Sequence, residues 1–350
     1  MSLFRKNRYR YTRSMVYDYS RVSRIQQRRN AKSTTRKFFL ISLYFFLAVS
    51  VLYFTVGLFS GNRAIVSGSG QAGEIISPVV ASIQESVDNS IKGIATLFSS
   101  GLRDTVDASL EGTTGTYAVY IKNLKTGEQY AVNENETFLS ASLYKLWTMG
   151  TVYTQIEEGK LAKDDVISAS IEDLNRQFGI GTEEAELTEG TVRKTVDEAT
   201  EQMITISHNY SAILLTSKIK LASVRDFLIT YGLSNSKVGS NLPETTAADI
   251  GRYYELLYKK EMVNEIYSDE MIARLKRQQL NDRIPELLPE ETVVAHKTGE
   301  LYGFKHDAGI VFAPKGDYII VMLSDSKNPA SAVQRMAQLS KDVYDYFESK

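Results

Sequence analysis

The sequence predicts an α+β domain, with an antiparallel sheet built from both ends of the domain, helices flanking it and an all-helical lobe inserted in the middle, preceded by one transmembrane helix. Three observations predict it. Residues 38–59 (FFLISLYFFLAVSVLYFTVGLF) carry no charge. Alternating, β-branched stretches occur near 117–132 and again over 292–323, and the residues between follow helical three-and-four spacing.

At 1.5 Å per residue the apolar run reaches about 33 Å, enough to cross a hydrocarbon core. Residues 1–37 hold twelve Lys/Arg against Asp18 alone, a charge of +11 in a chain whose formal net charge is only −1. Basic residues crowd the N-terminal flank of the run and only Arg63 follows closely, so the positive-inside rule places residues 1–37 in the cytoplasm and residues 61–350 outside. The run exceeds the apolar stretch of a cleaved signal peptide, so an uncleaved anchor is expected, with the basic tail drawn to anionic inner-leaflet lipid or a cytoplasmic partner. Residues 60–101 hold a Gly/Ser-rich linker and then an apolar stripe (Val80, Ile83, Val87, Ile91, Ile94, Phe98). The stripe reads equally as a stalk helix that makes dimers or as one lying on the domain or the bilayer.

The compact domain spans 102–350. Leu102–Leu110 reads as a helix; Tyr117–Ile121 and Gln129–Val132 read as a hairpin closed by Asn123–Gly127. Ser142 opens a helix closed by Gly159, and further helices are expected at Val192–Ile206, Tyr210–Ile219, Val224–Tyr231, Ala248–Tyr258 and Ser268–Leu275. Strands follow at Thr292–Lys297, Ala308–Ala313 and Tyr318–Leu323, and Asn328-Pro329 starts a last helix running to Phe347.

With no cysteine, the chain has no thiol nucleophile, no Cys-ligated zinc and no disulfide. Its three histidines, His208, His296 and His306, have no metal-ligand spacing, so neither metal nor cofactor is expected; His296 and His306 read as braces between strands.

Three short motifs carry the chemistry. Ser142-Leu-Tyr-Lys145 places a hydroxyl at a helix start and an amine at i+3 on the same face. Backbone N–H groups at such a start suit an oxyanion. Lys145 must be uncharged to take the serine proton, which burial and a nearby cation would achieve. Taken alone, the pair reads as well as an N-cap serine beside a solvated lysine, and Ser217–Lys220 and Ser234–Lys237 repeat the spacing without that context. Ser207-His-Asn209 lies between two helices, where Ser and Asn are also ordinary caps. Lys297-Thr-Gly299 ends a strand, whereas Lys125-Thr-Gly127 is a turn.

The three motifs, in this order, resemble the active site of the penicillin-recognising serine enzymes, the group of class A β-lactamases and D-Ala-D-Ala peptidases. The resemblance covers about residues 102–350 and extends to Met203–Ala212, Arg283–Pro289 and His306–Val311. It implies an acyl-enzyme on Ser142 with Lys145 as base, and Ser207 as proton donor to the leaving nitrogen. Lys297 would be an electrostatic clamp, Asn209 and Thr298 would bind substrate, and Gly299 would admit its backbone. The backbone N–H groups of Ser142 and Glu300 would hold the oxyanion. The substrate would be a small β-lactam or a peptidoglycan-stem amide.

Two features depart from the lactamase pattern. No Glu-x-x-Leu-Asn motif follows Asn209, the nearest carboxylate being Glu244, and Ala308 stands about where an assisting Arg is often found. Slow, peptidase-like turnover is therefore expected over efficient antibiotic hydrolysis. An esterase using the same Ser–Lys pair, or a non-catalytic wall-binding module that kept the cleft, are the alternatives.

Overall fold

The computed structural model describes residues 100–239 and 242–350. The basic tail, the apolar run 38–59 and the stalk stripe lie outside the described residues, among which no helix is long and apolar enough to cross a membrane.

One five-stranded sheet organises the described residues, in the order β2-β1-β9-β8-β7, every neighbouring pair antiparallel. Its strands are β1 (Thr116–Asn123), β2 (Gln129–Val132), β7 (Val293–Leu301), β8 (Phe304–Phe312) and β9 (Tyr318–Asp325), drawn from both ends of the domain as expected. The β1–β2 turn closes because Asn123 Oδ1 accepts the N–H groups of Lys125 and Thr126, at 3.0 and 2.9 Å, while Gly127 supplies φ +77°.

Both faces of the sheet are covered, and β9 shows how. Ile319, Val321 and Leu323 join one hydrophobic cluster, while Tyr318, Ile320 and Met322 join the other, as a period of two requires. The smaller cluster packs the sheet against α1 (Ser100–Leu110) and α9 (Pro329–Glu348) through Leu102, Val106, Met336, Val343 and Phe347. The larger holds the helices that carry the site, α2 (Tyr144–Glu157), α4 (Val196–Thr205), α5 (Asn209–Ile219) and α7 (Ala247–Tyr258), around Trp147, Met203, Leu215 and Tyr253. Each such large side chain contributes about 2–3 kcal/mol by leaving water. α3 (Ile171–Phe178), α6 (Leu221–Thr230) and α8 (Glu265–Leu275) complete the described helices.

The inserted lobe is not all-helical. It contains a ribbon of β4 (Val166–Ser170) and β5 (Thr191–Thr195), so the helix expected from Val192 begins at Val196. The reason is a capping box: Thr195 Oγ1 accepts from Glu198 N at 3.1 Å, and Glu198 Oε2 accepts from Thr195 N at 2.9 Å. Ahead of that cap, Thr191 and Val192 prefer extended backbone. A second ribbon joins β3 (Phe138–Leu139) to β6 (Glu244–Thr245) and leads into the turn that bears Ser142.

Candidate active site

Ser142 does not start an α-helix directly. It is the middle residue of a 3₁₀ turn, Ala141–Leu143, that runs without a break into α2. Ser140 N donates to Pro243 O at 2.7 Å, which fixes the entry to the turn, and Ala141 sits at φ +45°. A left-handed alanine costs on the order of 1 kcal/mol and persists only where its surroundings hold it. Lys145, in the first turn of α2, is fully buried.

The hydrogen bonds of Lys145 run to the second motif. Its Nζ donates to Ser207 O at 2.7 Å, to Asn209 Oδ1 at 2.7 Å and to Ser207 Oγ at 3.1 Å. Ser207, in the link between α4 and α5, is at φ +56°, and the lysine receives both its carbonyl and its hydroxyl. His208 caps α5, its Nδ1 accepting from Ser211 N at 3.0 Å. Burial and Lys194 lower its pKa, which keeps the imidazole in the neutral form an acceptor needs. Asn209 then stands at the first position of α5 with its side chain on Lys145.

The third motif arrives on β7, the edge strand of the sheet. Lys297 is fully buried, and its Nζ donates to Ser207 Oγ at 2.9 Å and to Thr298 O at 2.9 Å. The Ser207 hydroxyl is thus shared by two buried amines. Burial lowers the pKa of Lys145 well below the ordinary lysine range, Lys297 lowers it further, and Glu186 opposes both. Lys297 itself is lowered to about 7, by burial first; Asp307 pulls it up, Arg283 pushes it down and Glu300 pulls it up. With Lys145 uncharged, its two N–H groups can serve the 2.7 Å acceptors, which leaves its lone pair free to take a proton.

β7 also packs on the 3₁₀ turn. A Cβ at Gly299 would lie 3.2 Å from Ser140 O and 3.2 Å from a ring carbon of His306, so a side chain there would crowd the turn. Thr298 is buried beside Lys297, and Glu300 follows Gly299 on the same strand. The structure therefore brings Lys145, Ser207, Asn209 and Lys297 into one hydrogen-bonded set. Ser142 stands one turn from Lys145, and the Thr298–Glu300 segment lies along the turn that bears it.

The two buried histidines brace this frame. His306 donates through Nε2 to Leu139 O at 2.8 Å and accepts from Ser324 N at 3.3 Å, and burial lowers its pKa to about 4. His296 Nδ1 meets Asp307 Oδ1 at 2.8 Å, and that carboxylate also accepts from Ile284 N at 3.0 Å.

Two groups escaped the sequence reading. Arg283, completely buried, pairs with Glu300 from the loop ahead of β7 and acts electrostatically on Lys297. A guanidinium therefore reaches this corner although the β8 position is Ala308; its place in the Arg283–Pro289 stretch of the family resemblance was the available signal. Glu186, in the loop between α3 and β5, accepts from Asn209 Nδ2 at 2.5 Å, whereas Glu244 lies on β6 opposite Leu139. No sequence signal marks Glu186, because a loop threads it in from ahead of the second motif.

The sequence matches the profile of the Beta-lactamase enzyme family over residues 101–347. The chain belongs to that family. It is accordingly a β-lactamase-like serine hydrolase. The extended-spectrum β-lactamase PER-1 of Pseudomonas aeruginosa is 24% identical to it over 274 residues, covering 70% of this chain and 87% of PER-1. Among solved structures, PBP-A superposes with a TM-score of 0.64 at 21% identity, covering 72% of this β-lactamase-family chain and 97% of PBP-A. A β-lactamase from Sphaerobacter thermophilus superposes at 0.63 with 23% identity, covering 72% and 98%. At such identities the superpositions speak for the fold.

Proposed function

We propose that this β-lactamase-family chain is a membrane-anchored, extracytoplasmic acyl-transfer enzyme acting on β-lactams or on D-Ala-D-Ala-like amides of the cell-wall stem peptide. The observation that carries the reading is the Ser207 hydroxyl, bonded by both Lys145 and Lys297. One amine with a strongly lowered pKa can accept a proton, while the other can keep positive charge at the same atom.

In the proposed cycle Ser142 Oγ attacks the carbonyl carbon as its proton passes to the lone pair of Lys145. Backbone N–H groups of Ser142 and Glu300 hold the resulting oxyanion. As the carbon–nitrogen bond breaks, Ser207 gives its proton to the leaving nitrogen and takes one from Lys145, which returns to the uncharged form. An ester on Ser142 remains, and attack by water or an amine releases the acyl group. Lys297 and Thr298 hold the substrate carboxylate, with Arg283 behind them, and Asn209 holds the acyl-side amide. No Glu-x-x-Leu-Asn motif is present to activate a water. We therefore read deacylation as the slow step, which favours a penicillin-binding, peptidase-like enzyme over an efficient lactamase.

Anchoring through residues 38–59, with the basic tail on the cytoplasmic leaflet, rests on the charge asymmetry of the sequence, and pairing through the stalk stripe on its apolar spacing. Fluorescent penicillin incubated with the full-length chain should leave a stable ester that Ser142→Ala abolishes, a loss on the order of a thousandfold or more. An unlabelled wild-type protein at saturating reagent, with no hydrolysis of a chromogenic cephalosporin, would overturn the reading. The membrane assignment is tested by fractionation: the chain should resist extraction at high salt and be released only by detergent.

A further inference from the structure

Asn209 is the group expected to receive the acyl-side amide of a substrate, yet a carboxylate already stands on it. Its Oδ1 accepts from Lys145 at 2.7 Å and its Nδ2 donates to Glu186 Oε1 at 2.5 Å. One N–H of the amide remains for a substrate carbonyl, and that carbonyl would bind directly beside a negative charge.

The placement of Glu186 is built. The neighbouring Leu187 carbonyl accepts from Tyr210 Oη at 2.7 Å and from Asn175 Nδ2 at 2.9 Å, while Leu187 N donates to Tyr210 Oη at 3.2 Å. Tyr210 Oη also lies 3.0 Å from Asn175 Oδ1, a second acceptor for its single proton. Tyr210 follows Asn209 on α5, so one rigid helix fixes both the amide and the loop residue beside the carboxylate. Glu186 itself is exposed.

We infer that Glu186 is a specificity residue that accepts an ammonium group on the acyl-side arm of the substrate. The inference rests on the acyl-transfer reading above and narrows it. A neutral or anionic acyl arm meets a carboxylate next to its amide, whereas an arm ending in an amine forms a charge-assisted hydrogen bond there. Among stem-peptide amides, this selects those in which a diamino residue with a free side-chain amine precedes the D-Ala-D-Ala terminus. Lys145 does not compete for the carboxylate, since its bonds go to Ser207 and Asn209.

The test compares two thioester substrates differing only at this arm, one with a free lysine side chain and one with its Nε-acetyl derivative, on the full-length chain. Wild-type kcat/KM should favour the free amine by about tenfold, as expected of one charged hydrogen bond. Glu186→Gln should bring the ratio close to one and Glu186→Lys should invert it, while Glu186→Asp keeps part of the preference. Added salt should shrink the wild-type ratio. Loss of stability alone would lower both rates together and leave the ratio intact. If wild type acylates both substrates equally, or Glu186→Gln keeps the preference, this inference falls and the acyl-transfer reading stands. If neither substrate nor penicillin acylates Ser142, both fall.

Discussion

At the scale of single residues, two buried lysines with lowered pKa values meet at one hydroxyl, and the pH dependence follows from them. In the unfolded chain a lysine titrates near 10.4. Lys297 is lowered to about 7 by burial, so between those two pH values the unfolded state holds a proton that the folded state lacks. Its burial therefore costs nothing at high pH, and the cost grows as pH falls toward 7. Activity runs the other way for this group, since the clamp on a substrate carboxylate requires the charged form. The kcat/KM of acylation should rise from acid pH as Lys145 becomes uncharged and fall again above about pH 7 as Lys297 does, giving a bell. Lys297→Arg should push the alkaline limb upward, because a guanidinium does not titrate there. A profile that stays flat between about pH 5 and 9 would contradict this assignment.

Elements hold these residues in place by close approach. β7 touches the 3₁₀ turn because Gly299 has no side chain. Gly299→Ala should cost about 1 kcal/mol of stability, and by crowding the turn that bears Ser142 should lower kcat/KM by about tenfold. Thermal melts and penicillin acylation rates, measured together, separate the two effects. Equal rates in wild type and variant would show that the strand need not lie so near. The contact of α2 with α6 makes a similar demand without touching the chemistry. A Cβ at Gly150 would fall 2.2 Å from the Phe227 ring, so Gly150→Ala should destabilise by about 1–3 kcal/mol through overpacking. Urea denaturation of that variant should show a lower midpoint with an unchanged slope.

For the whole molecule, sheet and helices close two hydrophobic clusters within the described residues alone. A chain cut to residues 100–350 should fold, melt cooperatively and react with penicillin as fast as the full-length protein, while partitioning into the aqueous phase of a detergent extraction. An aggregated or unreactive fragment would mean that the preceding segment takes part in the fold. The membrane reading predicts the complementary loss, since deletion of 38–59 should release activity from the membrane fraction.

Local pattern carried the sequence a long way. Strand alternation marked both halves of the sheet, the Asn123–Gly127 turn was legible, and Ser142, Lys145, Ser207, Asn209 and Lys297 stood out by motif order. The β4–β5 ribbon was missed although Thr195-Val-Asp-Glu198 announced a helix start, because the apolar spacing of 192–206 runs smoothly through that cap. Glu186 had no motif to mark it, and the Arg283–Pro289 stretch resembled the family without giving Arg283 a role. Each reaches the site from a loop, and a loop's path depends on packing that no short window of sequence contains.

The sequence by itself determined which side chains are available for catalysis and which elements bear them, since periodicity, caps and turn chemistry act over a few residues. Only the tertiary structure decided that one serine hydroxyl lies between two dry amines and that a glutamate stands at the amide beside it. Those are effects of burial and of distance through space, which arise when the sheet edge, the α4–α5 link and the loop ahead of β5 converge.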